Sequence, residues 1–259
     1  MAVKSTFSPE DYPKDLFSRL FCSALRRHGM SARAEDDALC DRFYTLTCHM
    51  LEINTHMNLT TITDLPTVIL RHYIDSLTVA ACLPEGARVL DLGCGAGFPS
   101  LPLALARPDL RITAMDSTEK KTTYVAETAH LLGISAVTLS TVAMRAEEGA
   151  AGPLREQFDA VVSRAVARLS VLDELALPYL RVGGLFLAMK GAKAAEETAE
   201  ALHGIALLGG GAPETIPSLL YPEDPAAPVE EHVLLRIQKI GKTPKIYPRK
   251  YAQILKKPL

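Results

Sequence analysis

The residues from Val89 to Pro99 read Val-Leu-Asp-Leu-Gly-Cys-Gly-Ala-Gly-Phe-Pro. An apolar run passes into three alternating glycines, Gly93, Gly95 and Gly97, and then through Phe98 into an apolar, helix-like segment. That order predicts a buried strand, a tight turn and a helix N-terminus. Glycine permits φ > 0 and lets backbone N–H groups approach a ligand closely. Pro99 suits a first helical turn, where its missing N–H costs little. Asp91 adds a carboxylate at the strand's end, and Asp116 ends the next predicted strand, nineteen residues after Gly97. A carboxylate at that second position can accept hydrogen bonds from the ribose of an adenosine-type ligand. The plainer readings are an ordinary turn for the glycines and a helix N-cap before Ser117–Lys121 for Asp116. Their joint occurrence after consecutive strands favours a nucleotide-like ligand.

These groups must be positioned by a regular scaffold. From Arg88 onward strands and helices alternate: strands over Arg88–Leu92, Arg111–Met115, Ala136–Val142, Phe158–Ser163 and Leu185–Met189, helices over Pro99–Ala106, Glu119–Leu132, Leu169–Leu180 and Ala194–Leu207. Such alternation predicts right-handed crossovers and a mostly parallel sheet with helices on both faces. Thr215–Leu220 and His232–Ile240 are β-like with no helix between them, which suits a closing antiparallel hairpin. Before Pro84 the pattern is helical. Leu16 to Leu25 repeat at helical spacing and stop near His28-Gly29. A second helix follows Ser31 with Leu39, Cys40, Phe43, Leu46, Met50 and Leu51 on one face, and a third carries Val68 to Ala80. Asn54 to Thr63 is polar and predicts a connection between them. The expected organisation is a helical region over 1–84, an α/β domain over 85–240 and a basic tail over 241–259.

Composition sets outer limits. The chain has 259 residues, 48% of them hydrophobic and 22% charged, as in an ordinary soluble globular protein. No apolar run reaches the roughly 18 residues of a membrane span, and the N-terminal Lys4, Glu10, Asp11, Lys14 and Asp15 leave no secretory core. The five cysteines, Cys22, Cys40, Cys48, Cys82 and Cys94, form no CxxC pair, which predicts reduced thiols, a cytoplasmic location and no metal. Net charge is −2, but Gly241–Leu259 holds Lys242, Lys245, Arg249, Lys250, Lys256 and Lys257 without a carboxylate, with Tyr247 and Tyr251 interleaved. Such a tail can follow a phosphate backbone and stack on bases, or simply be solvated.

Two cofactors suit this architecture, a nicotinamide dinucleotide and S-adenosylmethionine. The dinucleotide fingerprint is G-x-G-x-x-G. Here the spacing is G-x-G-x-G followed by Phe98, with an acidic residue two positions before the first glycine, and this resembles motif I of class I methyltransferases. The terminal hairpin also resembles that superfamily's seven-stranded Rossmann-like sheet. The loop after the fourth predicted strand reads Ser163-Arg164-Ala165-Val166-Ala167, not the Asn/Asp-Pro-Pro-aromatic loop of exocyclic-amine methyltransferases. No Pro-Cys is present for pyrimidine C5 chemistry. A ring nitrogen with its own lone pair needs neither device, only near-attack placement.

The chain resembles the bacterial RsmG (GidB) 16S ribosomal RNA guanine-N7 methyltransferases. The matching segments are Asn58-Leu59-Thr60, Arg71 through Leu77, Asp91 through Pro99, Asp116-Ser117 with Lys120-Lys121, Arg145 through Glu148, Ser163 through Ala167, Lys190-Gly191 and Lys242 through Arg249. The resemblance implies an S-adenosylmethionine-dependent methyltransferase acting on small-subunit RNA, as a monomer and without a membrane. It places Gly93, Phe98, Ala146, Glu147 and Arg164 on cofactor-contacting positions, beside Asp91, Gly95, Gly97 and Asp116 from the turn and strand pattern. It places Asn58, His72 and Arg145 on the RNA side or pocket wall, and the tail adds Lys245 and Arg249. Arg164 is expected to position reactants, with no general base, so Arg164→Ala should lose far more methylation than Asn54→Ala. Ser100 stands where many members have glycine, and Glu52-Ile53-Asn54 replaces their Trp-Asn. The rival functions are a methyltransferase for a small molecule or protein and, further off, a nicotinamide oxidoreductase.

Overall fold

The computed structural model describes residues 8–164 and 166–259. Lys4 and Ala165 lie outside the described residues. Helix α1, Lys14–Arg27, buries Phe17, Phe21, Ala24 and Leu25 on one face, the stripe that a 3.6-residue period places together. It stops at His28, whose ring Nδ1 meets the Ala24 carbonyl at 2.7 Å. The helix expected after Ser31 is broken into a single turn, α2 (Ser31–Ala34), and the long α3 (Asp37–Met57). Asp36 causes the new start by accepting the Leu39 N–H at 2.9 Å, an N-cap. Asn54 does not end the helix as its polarity suggested. Its Oδ1 accepts the N–H groups of Leu59 and Thr60 at 2.7 and 2.9 Å, so it staples the following loop while α3 runs on to Met57. Asn54 is therefore unsuitable as a neutral control for Arg164.

The third helical stretch is composite. It opens as α4 (Leu65–Thr67) under an Asp64 cap, widens to π-helix over Val68–Ile74, continues as α5 (Asp75–Thr78) and ends as a 3-10 turn over Val79–Cys82. Wide turns of this kind are frequent at functional sites, and this one carries Arg71 and His72.

The sheet consists of β1 (Arg88–Leu92), β2 (Arg111–Asp116), β3 (Leu139–Ala143), β4 (Phe158–Arg164), β5 (Leu180–Lys190), β6 (Glu214–Leu220) and β7 (Glu230–Gln238), in the order 3-2-1-4-5-7-6. The first five strands are parallel, and β7 runs antiparallel to both β5 and β6. The crossovers are α6 (Ser100–Ala106), α7 (Glu119–Leu131), α8 (Ala146–Ala151), α9 (Leu169–Ala176) and α10 (Ala194–Leu207), with α11 (Tyr251–Lys256) in the tail. Pro99 sits just ahead of α6, at its N-cap, one place earlier than expected. Pro178 helps to end α9 early, in a 3-10 turn over Leu177–Tyr179. The strand residues alternate between two apolar cores. Val89, Ile112, Ala160 and Leu187 face the N-terminal helices, while Leu90, Met115, Val161 and Phe186 face α9 and α10. This is the seven-stranded class I methyltransferase fold with helices on both faces. No helix among the described residues is long and apolar enough to cross a membrane.

Candidate active site

Strand order reverses at β1, between β2 and β4, and open parallel sheets hold ligands beyond the carboxyl ends of strands at such a point. A cavity of about 1000 Å³ lies there, bounded by Gly93, Gly95, Phe98, Asp116, Glu147 and Arg164 among others. The floor is the glycine turn. Gly93 and Cys94 both donate their N–H groups to the Met115 carbonyl at 2.8 Å, tying β1 to the end of β2. Gly93 has φ +80°, and a Cβ there would come within 2.4 Å of a Val166 methyl. Only glycine keeps the turn and the loop after β4 this close.

Asp116 lines the cavity but is not the cap of α7, whose N-cap is Thr118. The Asp116 Oδ1 accepts the Thr118 N–H at 2.9 Å at the start of α7, while its Oδ2 accepts the Gly95 N–H at 3.1 Å on the cavity wall. Arg145, Ala146 and Glu147 border the cavity from the N-terminal turn of α8, and the Tyr179 hydroxyl donates to the Ala146 carbonyl at 2.6 Å. Lys121 lines it too, 3.8 Å from Asp116, whereas Lys120 is exposed.

At the end of β4, Arg164 is held rather than free. Its Nη1 donates to the Arg71 carbonyl at 2.6 Å and lies 3.4 Å from Asp75 Oδ2, and its guanidinium sits 5.3 Å from the centre of the Phe98 ring. The His72 ring stacks on the same Phe98 at 4.6 Å and 10°. His72 Nε2 meets Thr60 Oγ1 at 2.9 Å, and its Nδ1 is buried without a partner. Burial first, and then the Arg164 charge, push the His72 pKa down to about 4. It is a neutral imidazole at physiological pH.

Five sequence-predicted residues sit elsewhere. Asp91 is fully buried behind the wall, where Oδ2 accepts the Ser100 N–H at 3.1 Å and Oδ1 has no partner. Gly97 also stands back from the cavity; a Cβ there would meet Leu101 at 2.4 Å, so its role is to seat α6. Asn58 is the exposed left-handed residue that ends α3, and Leu59 and Ile62 line the cavity instead. Arg249 grips the buried Glu174 carboxylate, with Nη2 donating at 2.6 Å and Nε at 2.9 Å, so it anchors the tail to α9. Lys245 is exposed and off the cavity.

Sequence reasoning left Arg71, Asp75, Lys190 and His232 without roles and treated Tyr251 only as part of the tail, yet all line the cavity. Arg71, Asp75 and Lys190 lay inside segments already singled out; His232 had no local signal, because β7 reaches the site only through sheet pairing. No group of three His, Cys, Asp or Glu residues able to hold a metal occurs among the described residues.

Comparison with known proteins agrees with this geometry. The chain is 42% identical over 245 residues to ribosomal RNA small subunit methyltransferase G of Limosilactobacillus reuteri, covering 92% of this chain and 98% of that protein. Among solved structures, a SAM-dependent O-methyltransferase from Thermotoga maritima shares the fold with a TM-score of 0.52 at 17% identity, over 75% of this chain and 73% of that one. M. jannaschii TYW2 in complex with AdoMet superposes with a TM-score of 0.51 at 16% identity, over 65% of this chain and 76% of that one. Residues 40–221 match the GidB family model, described as rRNA small subunit methyltransferase G, and the chain belongs to that family.

Proposed function

We propose that this chain transfers a methyl group from S-adenosylmethionine to N7 of a guanine in the 16S RNA of the small ribosomal subunit. The observation that carries the reading is one cavity lined both by the glycine turn with Asp116 and by the anchored Arg164–Phe98–His72 stack. The residues present fit the cofactor. The backbone of Gly93, Gly95 and Ala96 lines the cavity floor, and Asp116 offers a carboxylate to ribose hydroxyls. The turn from Gly93 to Phe98 would hold the methionine end, and Ala146 and Glu147 would border the adenine.

When bound, S-adenosylmethionine supplies an electrophilic methyl on a sulfonium. Guanine N7 attacks with its own lone pair, so no side chain has to remove a proton. What remains for the protein is placement and electrostatics. Arg164 cannot swing, because a backbone carbonyl and Asp75 hold it. It therefore shapes a fixed wall against which the base is presented. Neutral His72 adds an uncharged aromatic surface beside it, which does not oppose the positive charge that N7 acquires. Lys245 and the exposed part of the tail are free to meet RNA phosphates, a role Arg249 gives up to Glu174.

The test uses labelled S-adenosylmethionine and small subunits from a strain lacking the modification, with the labelled nucleotide then mapped. Label at N7 of one guanine is the expected result; label only on protein or small molecules overturns the assignment. Arg164→Ala should lower the methylation rate about a hundredfold through lost placement. Glu127→Ala, on the exposed side of α7, serves as the control.

A further inference from the structure

The cavity contains two histidines whose surroundings drive them in opposite directions. His72 is buried on Phe98 beside a guanidinium and stays neutral. His232, on β7, is part-exposed, and its Nδ1 lies 3.1 Å from Asp75 Oδ1. Its Nε2 is 3.9 Å from Glu230, too far for a hydrogen bond. Asp75 thus bridges Arg164 and His232, one on each carboxylate oxygen. Glu230 in turn receives the Arg71 Nε at 2.9 Å. Across the ladder β6 presents Ser218, which carries no charge. The two carboxylates of this cluster are matched by two guanidiniums, so a protonated His232 contributes the charge left over.

We infer that His232, in its imidazolium form and with Arg71 beside it, binds a phosphodiester of the RNA that enters this cavity. The inference rests on the reading that RNA is the substrate. Three features favour a phosphate over a base edge. The donor is cationic when protonated, the neighbouring Arg71 side chain is half exposed, and the His232 side chain is itself part-exposed and so can reach a solvated backbone group. The Arg164 charge is offset by Asp75, but a further cation directly at N7 would oppose the charge developing there, whereas one on the backbone does not. Asp75 orients the ring and favours its charged form, the arrangement by which histidines are usually poised.

The sign of the pH dependence follows. The hydrogen bond that the His232 Nδ1–H donates to Asp75, ahead of the opposing effect of burial, raises the His232 pKa above its ordinary 6.5. The contact is complete at acid pH and is lost as pH rises through that raised value.

The experiment measures KM for modification-deficient small subunits between pH 5.5 and 9, and at several salt concentrations, for the wild type, His232→Gln and His232→Lys. Wild-type KM should rise with pH. His232→Gln should raise KM about tenfold at the acid end, converge on wild type at the alkaline end, and leave KM for S-adenosylmethionine unchanged. The slope of log KM against log salt should shrink by about 0.7 in that variant, as expected for one lost phosphate contact on a single strand. His232→Lys keeps its charge and should retain a low KM across the range. An unchanged pH profile or salt slope in His232→Gln overturns the phosphate contact while leaving RNA methylation standing. If the wild type fails to label the subunit at all, the RNA reading falls and this inference falls with it.

Discussion

Asp91 shows how far residue types can be read and where direction takes over. Its position two residues before Gly93 is that of a ligand-contacting carboxylate, yet the side chain turns away to the first residue of α6. Sequence spacing places a residue on a strand, but the rotamer is chosen by what is packed around it. Full burial with one unpartnered oxygen pushes the Asp91 pKa up to about 6 from its ordinary 3.8. A raised carboxylate favours folding in its neutral form, so its stabilising effect is present at low pH and lost as pH climbs through about 6. Asp91→Asn keeps an acceptor for the Ser100 N–H and removes the charge. The variant should match wild type near pH 4 and exceed it at pH 7.5 by up to about 3 kcal/mol. Urea unfolding of both proteins across that range measures the difference directly, and a pH-independent gap would refute the burial account. That Gly93, Gly95 and Asp116 line the cavity was legible because the turn and strand pattern dictates where they sit, while Phe98 and Arg164 came from the family resemblance. Asp91, Asn58 and Arg249 were not legible, since each is decided by a partner the local sequence does not reveal.

At the scale of elements, strands and crossovers were legible because a buried parallel strand and an amphipathic helix have distinct periods. The tail was not. A lysine-rich, proline-punctuated segment has the composition of a solvated arm, but this one is docked. Arg155 donates to the carbonyls of Tyr247 and Thr243 at 2.8 and 2.7 Å, Ile254 is fully buried, and α11 presents Tyr251 to the cavity. The anchor is the Arg249–Glu174 pair, whose glutamate is wholly buried on α9 and lies 75 residues away in sequence. Removing one partner of such a pair leaves an uncompensated buried charge. Arg249→Ala should therefore cost about 3 kcal/mol in urea unfolding, more than Glu174→Gln, because the charge the latter leaves unpaired is the part-exposed Arg249 guanidinium and not a fully buried carboxylate. Because Tyr251 follows the anchor into the cavity wall, the same variant should also weaken S-adenosylmethionine binding by isothermal titration. Loss of stability with unchanged affinity would show that α11 is only a strap.

The whole molecule raises the question of whether the N-terminal helices are an appendage or part of the enzyme's core. The change from helical to alternating pattern at Arg88 suggests a boundary, but one apolar cluster crosses it. Phe21, Phe43 and Tyr73 meet tilted or edge-on within 4.7 to 6.1 Å of one another, and Tyr73 lies 6.1 Å from Phe98 at the end of the glycine turn. The same cluster contains Val89, Ile112 and Ala160 of the central strands. The composite helix that supplies Arg71, His72 and Asp75 to the cavity is itself packed on α1 through these rings, so the helical region contributes part of the site wall. Unfolding the helices would expose one side of the sheet and dismantle the stack on Phe98 together. Phe43→Ala, at a fully buried position, should cost about 3 to 5 kcal/mol. That cost should move one cooperative transition, with far-ultraviolet circular dichroism and S-adenosylmethionine binding lost at the same urea concentration. An independent appendage would behave differently: helical signal would melt early in the variant while cofactor binding kept its wild-type midpoint. The continuous core predicts that the two midpoints shift together.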